Sequence, residues 1–179
     1  MYIKFILNIL IIFFLFVIQV GFISGLPEFF KELNLFLVSF IFILGLFGFE
    51  KALVLSLGIG IFFDFYSFYP FGVYSIVVFI TIVLSNFLLS NFLTNRSLYS
   101  FLALTAFAQI IFMILLHLFL FLIYFIKKED WIIFFDADFW LKQGSGLLVN
   151  LLTALCFFYI FNFFSKRFKP VFLSKKLNQ

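Results

Sequence analysis

Apolar residues run through this chain in long unbroken stretches, and its polar residues fall in short clusters between them. A helix needs about 20 apolar residues to cross a bilayer, with a range of about 17–25. The runs are continuous rather than alternating, so they read as helices and not as barrel strands, the other backbone form that lipid tolerates. Six spans are predicted, over residues 3–23, 33–49, 51–67, 70–93, 98–126 and 144–165. The expected fold is an all-α integral membrane protein, a polytopic bundle of six transmembrane helices, or five, in one domain over residues 1–179.

The connections are mostly short. Gly25-Leu-Pro-Glu28 breaks the chain after the first span, Glu50-Lys51 separates the second from the third in a hairpin, and Thr94 to Ser97 separates the fourth from the fifth. Lys127 to Lys142 is the one sizeable loop, and its mixture of Trp, Phe and Asp suits the membrane interface. The first span has Lys4 at its very start, ahead of the apolar run, as a signal peptide would. Its apolar part is longer than the usual core and no A-x-A-like site follows, so it reads as uncleaved.

Composition sharpens this picture. Of the 179 residues 66% are hydrophobic and 11% are charged, with a mean hydropathy of +1.27. A soluble domain of this length leaves too much of its surface exposed to hide so much apolar area. The 36 Phe are spread along the whole chain, which reads as drift in an AT-rich genome rather than as a ligand site. Cys156, the single cysteine, cannot form an intrachain disulfide and reads as a small buried hydrophobe.

Charge sets the orientation. With six spans, one side of the membrane holds Lys4, Lys51, Arg96 and the basic tail Lys166, Arg167, Lys169, Lys175 and Lys176. The other side holds Lys31, Lys127, Lys128 and Lys142, with Glu28, Glu32, Glu129, Asp130, Asp136 and Asp138 among them. The basic side is therefore expected in the cytoplasm, with both termini inside. The formal charge of +4 is a topology signal, not a nucleic-acid signal, and the tail suits anionic lipid.

Asp64 is the only acid within a span. A charge is costly at the bilayer centre and much less so near an interface, so Asp64 is expected near the outer end of the third span. Ala52, Ser56, Gly60 and Asp64 are four residues apart and share one helix face, a stripe that lets another helix approach closely. Gly58 adds a second point of close approach. Pro70 is expected in the first turn of the fourth helix, and Gly72 in the same turn as a place of close backbone approach. The free N–H groups of that turn carry partial positive charge, and Asp64 is placed to accept hydrogen bonds from them. The carboxylate then acts as a latch on a tight outer turn.

Gly60-x-x-x-Asp64 followed by Pro70-x-Gly72, with Pro27 before an acid just after the first span, resembles the signature region of the rod shape-determining protein MreD family. The resemblance is firmest over residues 27–93, and the length, span number and basic cytoplasmic end agree with it. The chain departs from the family in its Phe content and in Ser56, which stands where a second glycine is common. The resemblance implies a non-catalytic scaffold in the bacterial cytoplasmic membrane, part of the elongation machinery that builds the side wall. It implies MreC as direct partner, with MreB, RodA and a transpeptidase in the same complex, no cofactor and no small-molecule substrate. Candidate structural or partner-contact residues are Ser56, Gly60, Asp64, Pro70 and Gly72. The family's fold looks like the six-helix substrate-binding components of energy-coupling-factor transporters, and such a component is the alternative reading. It requires a polar pocket near the outer face.

Other polar residues carry less. His117 has no second metal ligand at helical spacing and reads as a hydrogen-bonded bundle histidine. Gln19, Gln109 and Asn150 lie inside spans and read as glue between helices, or as the lining of a solute pocket. Gly144-Ser-Gly146 is expected to open the sixth span, and Ser145 has no base beside it. No constellation suggests an enzyme.

Overall fold

The computed structural model describes residues 2–93, 97–127 and 137–164, and among these there is helix and no strand. Helix α1 (Tyr2–Val17) continues into a π turn, Ile18–Phe22, and a 3-10 turn, Ile23–Gly25. A single short turn of helix follows, α2 (Glu28–Lys31), with Pro27 as its N-cap. The long helices α3 (Leu35–Phe47), α4 (Phe49–Tyr66), α5 (Val73–Asn91), α6 (Leu98–Lys127) and α7 (Ala137–Phe164) complete the bundle.

Among the described residues four stretches are long and apolar enough to cross a membrane, Asn8–Gly25, Val73–Asn91, Leu98–Lys127 and Asp138–Phe163. α3 has 13 residues, about 20 Å at about 1.5 Å each. α4 has 18 residues but carries Glu50, Lys51 and Asp64. The chain is thus a helical membrane protein. Its exposed large side chains are overwhelmingly apolar, among them Leu10, Phe14, Val54, Ile114, Leu148 and Ile160, which is the surface that lipid requires.

α3 is the centre of the bundle. It packs against α1, α4, α5, α6 and α7, and its residues from Phe36 to Phe42 are buried without a break. A helix apolar on every side suits a position surrounded by other helices. Phe36, Phe40 and Phe42 fill that centre, with Phe42 stacked between Phe101 of α6 and Phe161 of α7 at centroid distances of 4.6 and 5.7 Å.

Several boundaries differ from expectation. The break between α3 and α4 falls at Gly48, whose φ of 92° suits glycine alone, and Glu50-Lys51 lies inside the first turn of α4. Lys51 Nζ sits 5.1 Å over the Phe47 ring. α5 begins at Val73, so Pro70 and Gly72 belong to the turn before it rather than to its first turn. α7 begins at Ala137, which places residues 137–142 of the expected loop in helix and leaves Gly144 and Gly146 in its interior. Packing holds that extension, because a Cβ on Gly146 would lie 3.3 Å from Cβ of Glu32, just past α2. Cys156 is exposed rather than buried, on an outward face of α7. Residues 94–96, 128–136 and 165–179, with Arg96, the acidic part of the long loop and the basic tail, lie outside the described residues.

Candidate functional site

The functional features gather at one end of the bundle, where α1 and α4 finish and α3, α5 and α7 begin. The turn between α4 and α5 is closed by Asp64, which is 4% exposed. Its Oδ1 accepts the Tyr74 N–H at 2.8 Å and its Oδ2 accepts the Ser75 N–H at 3.1 Å. The Ser75 hydroxyl also donates to Oδ2. Tyr74 and Ser75 are in the first turn of α5, where N–H groups have no partner within the helix. The carboxyl of one helix therefore caps the next, a task usually given to a residue of the helix's own N-terminus.

Gly72, the N-cap of α5, has φ 97° and no side chain that could cap. It is required by backbone conformation and not by close approach, since nothing lies within 4 Å of where its Cβ would be. Pro70 accepts the Val73 N–H at its carbonyl, 3.3 Å away, and fixes the turn ahead of the helix.

The close approach is at Gly60. A Cβ there would lie 2.8 Å from the Cα of Ser75, backbone against backbone. Ala52 and Ser56 are fully buried along the same stripe, and the Ser56 hydroxyl donates to the Leu53 carbonyl of its own helix at 2.9 Å. Gly58 faces a different neighbour, the flexible tip of Ile12. Thus the spacing Gly60-x-x-x-Asp64 has a local explanation. Glycine admits the start of α5, and one turn later the carboxyl ties it down.

Ser75 and Tyr74 were not singled out from the sequence. The signal was present, because a serine three residues after an N-cap glycine lies in the first turn that a carboxylate on α4 can reach. Its role depends on which helix packs there, and sequence alone does not fix that.

The second feature lies beside this turn and runs deeper. Gln19, in the π turn at the end of α1, donates from Nε2 to the Leu33 carbonyl at 2.7 Å and accepts the Leu35 N–H on Oε1 at 2.9 Å. Asn150 of α7 accepts the Asn34 N–H on Oδ1 at 2.8 Å. Both amides bind the backbone that enters α3, rather than other side chains. Asn150 is fully buried at the middle of the apolar stretch Asp138–Phe163. The chain at 33–35 therefore enters the bundle at about half its depth. Non-helical backbone at that depth persists only when protein or a water-filled cavity satisfies it.

A cavity of about 220 Å³ is present there. Gln19, Asn34, Gln109, His117 and Gln143 supply its polar walls, and Lys31 and Glu32 also border it. Its apolar floor is a cluster of rings. Phe36 and Phe63 lie 4.9 Å apart, Phe63 and Tyr74 stack at 5.5 Å, and Tyr74 and Phe112 lie 6.2 Å apart. Tyr74 thus joins the two features, its N–H on Asp64 and its ring in the cavity. Asn34 Oδ1 and Gln109 Oε1 are buried without a hydrogen-bond partner. Asn150 Nδ2, a donor beside Asn34, is likewise buried without a partner among the described residues, and a buried polar atom left so costs about 1–3 kcal/mol.

Gln19 and Asn150 do tie the bundle together, whereas Gln109, which borders the cavity, makes no such bond among the described residues. His117 Nδ1 lies 2.8 Å from the Met113 carbonyl one turn earlier and donates to it. Among the described residues no group of three His, Cys, Asp or Glu could hold a metal ion. Comparison of the chain with known protein families, with curated proteins and with solved structures finds no match to any of them.

Proposed function

We propose that this chain is a non-catalytic scaffold subunit of the bacterial cell-elongation complex, an MreD-like protein that binds MreC and supports side-wall synthesis. The observation that carries the reading is the latch, in which Gly60 admits the start of α5 and Asp64 caps it at Tyr74 and Ser75. Gly60 and Asp64, with Pro70 and Gly72, are residues on which the resemblance rests, and each has a defined part in joining α4 to α5. A hydrogen-bonded, aromatic turn at the end of two packed helices suits a docking platform. Phe65, Tyr66, Phe68 and Phe71 are all exposed around it.

In this reading all six long helices cross the cytoplasmic membrane, both termini are cytoplasmic and the Asp64 turn faces outward. α3 and α4 cross within the shelter of the other four. The partners are MreC first, and MreB, RodA and a transpeptidase through the complex. Depletion in the source cells tests the reading. Rod-shaped cells are expected to round up and to recover with the wild-type chain. Unchanged shape and unchanged side-wall labelling after full depletion would count against it.

A further inference from the structure

Away from the Asp64 turn, at the other end of the bundle, an apolar groove runs along α3. Phe42, Ile43 and Leu46 of α3 form its floor, and Leu10 and Phe14 of α1 face Phe161 of α7 across it. We propose that this groove holds one acyl chain of an anionic phospholipid, with the headgroup phosphate at Lys51. The inference goes beyond the scaffold reading and does not rest on it.

Chemistry and depth point to lipid. The open wall is hydrocarbon and aromatic throughout, although Ser39 borders it. Its two sides belong to the membrane-crossing stretches Asn8–Gly25 and Asp138–Phe163, so the groove opens to hydrocarbon and not to water. Leu10, Phe14 and Phe47 are exposed along its rim. From Ser39 to Phe47, α3 rises about 12 Å at about 1.5 Å per residue. One leaflet's share of the hydrocarbon core is about 15 Å, so the groove matches a single acyl chain and not a whole crossing. A transmembrane helix seats against small residues, as α5 does against Gly60. Apart from Ser39 the groove is lined by Leu, Ile and Phe, whose bulk keeps a second backbone away and leaves space for a flexible chain.

Charge selects the headgroup. Phe47, the last residue of α3, ends the groove, and Lys51 Nζ stands 5.1 Å over its ring. Lys51 is exposed, and its ammonium is a compact point charge for a phosphate. Lys4 lies in the first turn of α1 at the same end, and Lys166, Arg167 and Lys169 directly follow α7 in the sequence. Glu50 is the one acid that the sequence places with them. This excess of positive charge favours an anionic headgroup over a zwitterionic one.

Native mass spectrometry of the full-length protein in detergent tests the proposal, with dioleoyl phosphatidylglycerol and dioleoyl phosphatidylcholine as probes. One phosphatidylglycerol per protein is expected to bind saturably, at least about fivefold more tightly than phosphatidylcholine. Ile43→Trp fills the floor and is expected to weaken both lipids about tenfold, the loss of about two buried methylenes. Lys51→Gln is expected to lessen the preference for phosphatidylglycerol about fivefold and to leave phosphatidylcholine unchanged. Phe87→Trp, on an exposed face of α5, is expected to change neither. Circular dichroism and size-exclusion profiles establish that each variant is folded, and Leu10→Trp on the exposed rim replaces Ile43→Trp if that variant is not. Folded wild-type protein that takes up no phosphatidylglycerol saturably, or both lipids equally, would overturn the proposal. Uptake that the folded groove variant leaves intact would do the same. A retained polypeptide or second copy in place of lipid, lost in the groove variant, would assign the groove to a protein helix and also overturn it. The scaffold reading is untouched by the lipid titration, because it stands or falls on partners captured from native membranes.

Discussion

Asp64 shows what one carboxyl group can do where two helices meet. It answers two N–H groups that α5 cannot satisfy itself, and it is buried while doing so. Asp64→Ala leaves both donors without a partner, at about 1–3 kcal/mol each. Thermal unfolding in detergent is expected to show a clear fall in the midpoint, and Asp64→Asn, which keeps one acceptor oxygen, a smaller one. Equal midpoints for wild type and Asp64→Ala would remove the latch. The glycines predict an order. Gly60→Ala puts a methyl 2.8 Å from the Ser75 Cα and has no flexible group to displace, so α4 and α5 must separate. Gly58→Ala meets only the end of the Ile12 side chain, which can turn away. Gly72→Ala strains a left-handed φ by about 1–2 kcal/mol. Gly60→Ala is therefore expected to lower the unfolding midpoint most and Gly58→Ala least. This layer was largely legible in the sequence, because the stripe, the acid and the Pro-x-Gly turn are all local. The two errors were local as well. Pro70 and Gly72 stand before the helix because a glycine at φ 97° can act as its N-cap, and that value is not written in the residue names.

At the scale of elements, α3 governs the design. It is about 20 Å long, against an apolar core of about 30 Å. It begins at the depth of Asn150, with Gln19 and Asn150 satisfying the backbone that leads into it. Gln19→Leu removes both hydrogen bonds from Leu33 and Leu35 in one change. A loss of about 1–3 kcal/mol is expected in denaturant titration, with faster hydrogen exchange at residues 33–35 and little change in α5. Exchange that rises equally across the bundle would mean that Gln19 stabilises the whole and not this entry. The six runs of apolar residues made the long helices readable. The depth of α3 was not readable, because it is set by amides on α1 and α7 that are 131 positions apart in the chain (Gln19 and Asn150). The start of α7 was placed seven residues late for a related reason (Ala137 against Gly144). Glycines that look like a helix opening are instead inside the helix, where Gly146 leaves room for the chain at Glu32.

At the scale of the molecule, the bundle exposes many large apolar side chains to its surroundings, among them Leu10, Phe14, Ile114 and Leu148. Cys156 offers a direct probe of that surface, since it is the single cysteine and lies exposed on α7 within Asp138–Phe163. A nitroxide attached there in the detergent-solubilised protein and returned to vesicles is expected to be relaxed by molecular oxygen and shielded from a water-soluble nickel complex. The opposite pattern would place α7 at a water-filled surface and refute its lipid-facing orientation.

The central claim concerns partners. The most direct measurement is affinity capture of the tagged, intact wild-type protein from native membranes in mild detergent, with mass spectrometry of what is retained. The account predicts MreC among the retained proteins, with RodA alongside it, and less of both with a folded Asp64→Ala variant. Recovery of an ATPase pair with its coupling subunit, and no MreC, would contradict it and make the chain a transporter component.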